Sequence, residues 1–247
     1  MLKTSANFLI LFYNRNMKDL LLKALNSVNV NPEMEKIEKL SQFYTILVDY
    51  NQKINLTRIT SEIDSAYKHF ADSAVALPYL TDNAKVCDIG SGGGFPAIPL
   101  AVLSNADFTL VDATMKKVNY LNFAIESLGL TNARAIQERA EDIGNSPLRE
   151  SFDIVTARAV ASLPTLLEYC LPLVKVGGIF IAYKTVEEEI TASERALRTL
   201  GGQVEEIKPY SLGEFATDRA LVVIKKVDHT PKGYPRGQNK PRIKPII

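Results

Sequence analysis

The sequence predicts an α/β protein with a mostly parallel sheet, a final antiparallel strand and a helical extension at the N-terminus. Three observations support this prediction. From about residue 80, short β-rich runs alternate with helical segments, as in βαβ units. A glycine-rich segment follows the first of these runs, at the position where open parallel sheets bind ligands. Two further β-rich runs, joined by the short connection GEFATD, predict a hairpin whose last strand opposes the others.

The first part of the chain predicts helices. Apolar residues recur every three or four positions from Ile37 to Ile54, which is the period of an amphipathic helix. We therefore expect a helical N-terminal region at residues 17–79, ahead of a domain at residues 80–227. Leucines also recur at helical spacing after Met17, so residues 1–16 are expected to be an extension outside the working fold.

The domain is predicted to contain seven strands with helices between most of them. In chain order the elements are the strand KVCDIG from Lys85, a helix from Phe95, the strand DFTLVDA from Asp107, a helix from Met115, the strands ARAIQ from Ala133 and FDIVTAR from Phe152, a helix from about Ser162, the strand GGIFIAYK from Gly177, a helix from Glu187 to Leu200, and the strands QVEEIKPYSL from Gln203 and RALVVIKKV from Arg219.

Charge is distributed unevenly along a chain whose formal net charge is only +1. From Lys225 to Ile247 there are seven basic residues and one acidic residue, whereas the rest of the chain has 22 basic and 27 acidic residues. A basic segment on an acidic body suggests attraction to polyanions. The C-terminal segment (residues 228–247) is also rich in proline and glycine, so we expect it to form no packed element of its own.

Cysteine content and hydropathy limit the class of protein. Cys87 and Cys170 are far apart and form no C-x-x-C pair, which disfavours a disulfide framework or a metal site and favours a reducing cytoplasm. The apolar run FLILFY (Phe8 to Tyr13) is too short to span a bilayer. We expect a cytoplasmic protein, monomeric, without a metal and without a membrane segment.

The segment VCDIGSGGGFPAIPL (Val86 to Leu100) combines alternate glycines with two prolines. Glycines at this spacing let the backbone approach a ligand closely. Pro96 and Pro99 fall where the first turn of a helix has unpaired N–H groups, so they favour the start of a helix. The segment therefore predicts a ligand-binding loop between a strand and a helix.

The exact glycine spacing discriminates between nucleotide cofactors. A dinucleotide fingerprint, G-x-G-x-x-G, would place its third glycine where Phe95 stands. The pattern instead resembles class I S-adenosylmethionine-dependent methyltransferases, in which the loop surrounds the amino-acid part of the cofactor. In that class, the acid that ends the second strand binds the ribose hydroxyls, a position held here by Asp112.

Two classes of methyl acceptor are disfavoured by what the sequence lacks. Amine methylation usually uses a [DNS]-P-P-[YF] motif after the fourth strand, where this chain has TARAVASLP. Pyrimidine C5 methylation needs a cysteine nucleophile, usually after proline, and neither cysteine follows a proline. Arg158, Lys184 and Arg219 lie at strand ends and are expected to bring positive charge to the ligand edge of the sheet.

From Asn51 onward the chain resembles the RsmG, or glucose-inhibited division protein B, methyltransferases of bacterial small-subunit ribosomal RNA. The matching motifs are NQKINLTRIT from Asn51, KHFADS from Lys68, DIGSGGGFPAIPLA from Asp88, Lys116-Lys117, RAED from Arg139, ARAVA from Ala157, AYK from Ala182, and YPRG and KPRIKP near the C-terminus. Ala97 departs from the family, which more often has glycine there. His69 and Asp72, in the second motif, are equally consistent with a structural hydrogen-bonded pair.

The resemblance implies methyl transfer from S-adenosylmethionine to N7 of a guanosine in 16S ribosomal RNA, with the RNA or the small ribosomal subunit as partner. It implies a cofactor site that comprises Asp88, Gly90, Gly92, Gly94, Phe95, Asp112, Ala113, Thr114, Ala140, Glu141 and Arg158. It also implies that Arg139, Lys184, Arg219 and Arg236 face the RNA or shape its pocket. The similarity of YPRG to the family's C-terminal motif suggests, as an alternative to a purely electrostatic RNA-binding arm, that Tyr234 and Arg236 fold back near the active site. No general base is expected, because N7 carries a free lone pair.

Three alternatives stay open from the sequence. A nicotinamide oxidoreductase is disfavoured by Phe95, and a small-molecule methyltransferase is disfavoured by the basic C-terminal segment. A non-catalytic ribosome-binding or assembly protein with the same fold is the strongest alternative to the enzyme. The sequence identifies neither the modified nucleotide nor whether naked RNA or an assembled particle is the substrate.

Overall fold

The structure is a computed structural model that describes residues 16–185 and 188–247. Its centre is a seven-stranded sheet in the order β3-β2-β1-β4-β5-β7-β6. The strands are β1 Lys85–Ile89, β2 Asp107–Asp112, β3 Ala133–Gln137, β4 Phe152–Arg158, β5 Val174–Lys184, β6 Gly202–Tyr210 and β7 Arg219–Lys226. Each of the seven predicted strands is present, and the predicted α/β class is confirmed.

Strand direction also agrees with the prediction. Strands β1 to β5 pair in parallel, while β7 pairs antiparallel with both β5 and β6. The chain order reverses beside β1, which has β2 on one side and β4 on the other. In an open α/β sheet this reversal leaves a crevice at the carboxyl ends of the strands, where ligands bind.

Helices cover both faces of the sheet. They are α1 at 16–27, α2 Met34–Asn51, α3 Glu62–Ser65, α4 Asp72–Ala74, α5 Ala97–Leu103, α6 Met115–Ser127, α7 Ala140–Ile143, α8 Leu163–Cys170, α9 Glu188–Thr191, α10 Glu194–Leu200 and α11 Lys240–Ile243. A π-helical stretch, Ala66–Ala71, connects α3 to α4. One buried cluster contains residues of α1, α2, α5 and α6, and a second contains residues of α8 and α10.

The N-terminal helices share the core of the sheet. Leu21 of α1 and Phe43 of α2 are fully buried in the same cluster as Leu110 of β2. The predicted helix ends at Asn51 because the Asn51 side chain accepts hydrogen bonds from the N–H groups of Leu56 and Thr57. Residues 1–15 and their apolar run lie outside the described residues, and the boundaries near residues 79 and 227 stay predictions.

The sequence predicts one helix from Glu187 to Leu200, and this prediction is wrong for the described residues 188–200. Two short helices, α9 and α10, are separated by a turn at 192–193. Ser193 is buried at the N-cap of α10, a position that serine favours over the helix interior. The turn lets α10 pack on α8 and β6.

The expectation that the C-terminal segment forms no packed element is also wrong. Pro235 and Pro241 are buried, and residues Lys240–Ile243 form the short helix α11. The Arg149 guanidinium donates to the carbonyls of Thr230 and Tyr234 at 2.7 and 2.6 Å. Proline and glycine prevent regular structure over most of the segment, but its carbonyl groups find donors on the body of the protein.

Within the described residues, no helix is long and apolar enough to cross a membrane.

Candidate cofactor site and the surrounding polar cluster

The glycine loop bends sharply over the end of β2. The N–H groups of Gly90 and Ser91 both donate to the Val111 carbonyl, at 2.8 and 3.0 Å, and Gly92 N–H donates to Asp112 Oδ2 at 3.1 Å. Gly90 has a φ of +74° and Gly92 of +52°, a region that residues with a Cβ adopt rarely. A Cβ on Gly90 would also lie 2.6 Å from a methyl group of Val160. The loop therefore requires glycine for conformation and for close packing.

The prolines stand at the start of the following helix, as predicted, with a shift of position. The helix α5 begins at Ala97, Pro96 is its N-cap residue, and Pro99 occupies the first turn. Neither position needs a backbone N–H inside the helix. The loop thus passes into α5 without losing a helical hydrogen bond.

Asp112 ends β2 at the carboxyl edge and holds the two loops around it. It is 7% exposed, and its Oδ1 accepts the N–H of Thr114 at 2.9 Å while Oδ2 accepts that of Gly92. Lys117 Nζ lies 3.9 Å from Oδ2. The remaining lone pairs of the Asp112 carboxylate are available to a ligand, which is consistent with the predicted contact to ribose hydroxyls.

A cleft with a cavity volume of about 200 Å³ opens beside this carboxylate. It is lined by Ile89, Gly90, Val111, Asp112, Ala113, Glu138, Arg139, Ala140, Glu141, Val160, Tyr169, Asn239 and Arg242. A larger groove of about 470 Å³ is lined by residues at the amino ends of the strands, such as Lys85 and Asp107. We assign the ligand site to the smaller cleft because it lies at the carboxyl ends, next to the glycine loop.

Two buried carboxylate oxygens at this edge have no hydrogen-bond partner among the described residues. They are Oδ2 of Asp88, which is 1% exposed, and Oε1 of Glu141, which is 4% exposed. A buried acceptor without a donor is costly. The predicted cofactor carries an ammonium group, ribose hydroxyls and an adenine amino group, which are donors of the kind that these oxygens lack. The residues present therefore fit S-adenosylmethionine.

Asp88 lies beneath the loop and is held by its neighbour in the sheet. Its Oδ1 accepts the Thr156 hydroxyl of β4 at 2.7 Å. Burial raises the pKa of Asp88 to about 6, against the hydrogen bond from Thr156. In the cofactor-free protein the carboxyl thus changes charge just below neutral pH.

Six residues predicted at the cofactor site are not among those that line the cleft: Asp88, Gly92, Gly94, Thr114, Phe95 and Arg158. Phe95 is 6% exposed and packs in the core against Phe43, Phe70 and His69. The Arg158 guanidinium lies over the Phe95 ring, 5.4 Å from its centroid. Both residues border the glycine loop from the side of the N-terminal helices, and their contact with the cofactor stays a prediction.

Arg158 is the centre of a buried polar cluster. It donates to Asp72 Oδ2 at 2.7 Å, to the Lys68 carbonyl at 3.2 Å and to His69 Nδ1 at 3.3 Å. The Tyr210 hydroxyl donates to the other oxygen of Asp72 at 2.8 Å. His69 and Asp72 are therefore joined through Arg158, a partner that the reading of these two residues as a structural pair did not include.

His69 is neutral in this cluster. A guanidinium group can only donate, so Nδ1 accepts and Nε2 carries the proton that is donated to Thr57 Oγ1 at 2.8 Å. Burial and the Arg158 charge lower the pKa of His69 to about 3. With both nitrogens engaged and its ring stacked on Phe95, His69 positions neighbouring groups and is not available as a general base.

The residues predicted to face RNA occupy different environments. Arg139 is the N-cap residue of α7, and its side chain is 59% exposed beside Glu141. Lys184 Nζ donates to the Ala161 carbonyl at 2.9 Å, and Arg219 is half-buried at the start of β7 opposite Tyr210. Arg236 instead forms a two-pronged ion pair with buried Glu168, Nε to Oε1 at 2.8 Å and Nη2 to Oε2 at 2.7 Å. Only Arg139 of these four lines the cofactor cleft.

The cleft also contains residues that were not predicted from the sequence. Glu138, Val160 and Tyr169 line it, and so do Asn239 and Arg242 of the C-terminal segment. Glu138 directly precedes the recognised motif RAED and Val160 lies within ARAVA, so these motifs were a usable signal. Arg242 lies within the motif KPRIKP, but no pattern in the sequence placed it or Asn239 beside the cofactor.

Both cysteines are free and fully buried. Burial raises the pKa of each thiol well above its usual value. Neither is therefore available as a nucleophile toward a pyrimidine.

The fold and the site together define a class I S-adenosylmethionine-dependent methyltransferase. Solved structures share the fold at low sequence identity. The ribosomal protein L11 methylase of Lactobacillus delbrueckii subsp. bulgaricus matches with a TM-score of 0.52 and 14% identity, over 66% of this chain and 80% of that one. A methyltransferase in complex with the Trm112 activator of Haloferax volcanii matches with a TM-score of 0.53 and 15% identity, over 76% and 98% of the two chains.

Within this class, the chain belongs to the GidB family, described as rRNA small subunit methyltransferase G, whose model matches residues 36–221. Two relatives are named ribosomal RNA small subunit methyltransferase G. The Clostridium botulinum (strain Alaska E43) protein is 44% identical over 234 residues, which is 92% of this chain and 98% of that protein. The Bacillus subtilis protein is 41% identical over 229 residues, or 90% and 95% of the two chains.

Proposed function

We propose that this protein transfers the methyl group of S-adenosylmethionine to N7 of a guanosine in 16S ribosomal RNA. The observation that carries the proposal is family membership over most of the chain, to which this edge of the sheet adds buried carboxylate oxygens that lack a donor among the described residues. The protein acts in the cytoplasm as a monomer, on RNA of the small ribosomal subunit.

S-adenosylmethionine supplies an electrophilic methyl group when bound. Guanine N7 has an available lone pair and loses no proton on methylation, so the protein has to position the base and exclude water. The glycine loop and Asp112 define one side of the cofactor cleft. Arg158, fixed by Asp72 and His69, holds the end of β4 next to that loop.

The state of His69 agrees with this chemistry. A methyltransferase that must deprotonate its acceptor needs a base with a free lone pair and a pKa near neutrality. Both ring nitrogens of His69 are occupied, and its pKa is about 3. His69 is therefore excluded as such a base, which is consistent with an acceptor that needs none.

The test is methyl transfer from labelled S-adenosylmethionine to small ribosomal subunits and to naked 16S RNA from a strain that lacks the protein. We expect label in one guanosine, at which borohydride reduction and aniline then cleave the chain, as they do at N7-methylguanosine. An Asp88→Ala variant that stays folded should transfer little label. Labelled RNA that resists this cleavage would reject the N7 assignment, and absence of transfer to either substrate would favour the non-catalytic ribosome-binding protein.

A further inference from the structure

We propose that the C-terminal segment forms a wall of the cofactor cleft and that Asn239 and Arg242 bind the cofactor. This inference rests on the proposed function, because it takes the ligand of the cleft to be S-adenosylmethionine. It assigns a cofactor-binding role to a segment whose charge alone suggests only attraction to RNA.

The segment is fixed to the body of the protein beside the cleft. Glu168 of α8 is fully buried and receives three hydrogen bonds from Arg236, one of them from its backbone N–H at 2.8 Å. Asn145 Nδ2 donates to the Pro235 carbonyl at 3.1 Å, and the buried Thr165 hydroxyl donates to the Pro241 carbonyl at 3.0 Å. Residues 235–241 are thus attached at both ends, which sets the position of Asn239 and of the adjoining Arg242.

From this position Arg242 reaches the glycine loop through one intermediate residue. Its Nη2 donates to the Val160 carbonyl at 3.0 Å, and Val160 is the residue whose methyl group would clash with a Cβ on Gly90. Asn239 Oδ1 accepts the Tyr169 hydroxyl at 3.4 Å. Both side chains line the same cleft as Asp112 and Glu141.

The size and charge of the cleft favour direct contact. Its volume of about 200 Å³ is below the roughly 300 Å³ at which ordinary ligand pockets begin, so a nucleoside-sized ligand that fills it lies close to the lining side chains. The cleft contains three acidic side chains, Asp112, Glu138 and Glu141, and Arg242 is one of two cations among its lining residues. A guanidinium in this place suits the carboxylate or a ring nitrogen of the cofactor.

The experiment is calorimetric titration of the full chain with S-adenosylhomocysteine, which binds the cofactor site without turnover. Arg242→Ala is compared with Lys240→Ala, which removes the same charge from an exposed position of α11 that is not a lining residue of the cleft. Asn239→Gly is compared with Gln238→Gly. Gln238 and Asn239 both have φ near +60°, which glycine tolerates, so the two substitutions have similar effects on the backbone. They differ in that Asn239 lines the cleft and Gln238 does not.

We expect Arg242→Ala to weaken binding about tenfold, equivalent to about 1.4 kcal/mol. Asn239→Gly should weaken it about threefold, with both control variants within twofold of the wild type. If the melting temperature of Arg242→Ala is well below that of the wild type, Arg242→Lys and Asn239→Gly replace it, and their affinities are compared with those of the same control variants. Wild-type affinity in the Arg242 and Asn239 variants, or equal losses in the controls, would overturn the inference. Failure of the wild type to bind would instead overturn the proposed function.

Discussion

At the scale of single residues, the cofactor site is organised around carboxylates in unequal surroundings. Asp112 is partly satisfied by the N–H groups of Gly92 and Thr114, whereas Asp88 is fully buried with one oxygen lacking a partner among the described residues. The first arrangement holds the loops in place. The second leaves a buried acceptor unpaired, and a cationic or hydrogen-bond-donating ligand can bind to it.

Asp88 makes cofactor affinity depend on pH. Its pKa in the free protein is raised to about 6, so below that value the carboxyl is protonated and must lose its proton before it can interact with a positively charged ligand. We expect the affinity for S-adenosylmethionine to be constant above about pH 7 and to fall about tenfold between pH 7.5 and pH 5. Calorimetry across this range measures the effect.

The control for this prediction is Asp88→Asn, which preserves the size of the side chain and an acceptor for Thr156. Its binding should be weaker at pH 7.5 and nearly independent of pH. Thermal melts at each pH establish that both proteins are folded. An unchanged slope in Asp88→Asn would assign the proton to another group.

At the scale of elements, the C-terminal segment and α8 depend on each other. Glu168 is 0% exposed and the Arg236 side chain 26% exposed, so their ion pair is largely shielded from water. Such a pair contributes little net stability to the fold, but removal of one partner is strongly destabilising because the other charge then stays buried without a partner. Glu168 therefore requires the segment to be docked, and the segment is part of the folded protein.

We expect Arg236→Ala to lower the free energy of unfolding by about 3–5 kcal/mol. Arg236→Lys should recover only part of this loss, because an ammonium group cannot form the two-pronged contact. Chemical denaturation measures both variants, with Lys232→Ala in the same segment as a control near wild type.

The double variant Arg236→Ala with Glu168→Gln tests the explanation, since it leaves no charge buried. It should be more stable than Arg236→Ala alone. A loss below about 1 kcal/mol in Arg236→Ala would show that Glu168 does not need its partner.

At the scale of the whole molecule, three distant parts of the chain meet at the carboxyl edge of the sheet. The N-terminal region provides His69 and Asp72, the sheet provides the glycine loop and Arg158, and the C-terminal segment provides Arg242. Exposed cations on the same segment, such as Lys232 and Lys240, lie outside the network that docks it. The segment can thus be fixed in place and still present charge to RNA.

We expect the double variant Lys232→Gln and Lys240→Gln to bind RNA more weakly and with less dependence on salt. Each lost phosphate contact should lower the slope of log affinity against log salt by about 0.7–0.9. Fluorescence anisotropy with a 16S RNA fragment between about 50 and 200 mM salt measures the slope. Turnover at saturating substrate should be unchanged.

The matched control is Lys23→Gln with Lys39→Gln, two lysines on the N-terminal helices α1 and α2. This control removes the same number of positive charges, but from helices outside the C-terminal segment, and should retain the wild-type salt slope. Equal slopes in the two double variants would mean that the segment makes no phosphate contacts of its own.

Features that depend on local periodicity and local backbone requirements could be predicted from the sequence. The alternation of β-rich and helical runs gave the seven strands, and the final hairpin gave the antiparallel strand. The glycine spacing from Asp88 to Gly94, with Asp112 after the next strand, located the cleft because positive φ and close approach restrict the residue type at single positions.

Contacts between residues far apart in the chain became known from the three-dimensional fold. Asp72 and Arg158 are 86 positions apart and Glu168 and Arg236 are 68 apart, and each charge had many equally suitable partners along the chain. The strand order and the packing of helices selected among them. The same packing pairs Arg236 with a buried carboxylate and brings Asn239 and Arg242 to the cleft, because docking depends on side chains of α8 that no local pattern connects to the C-terminus.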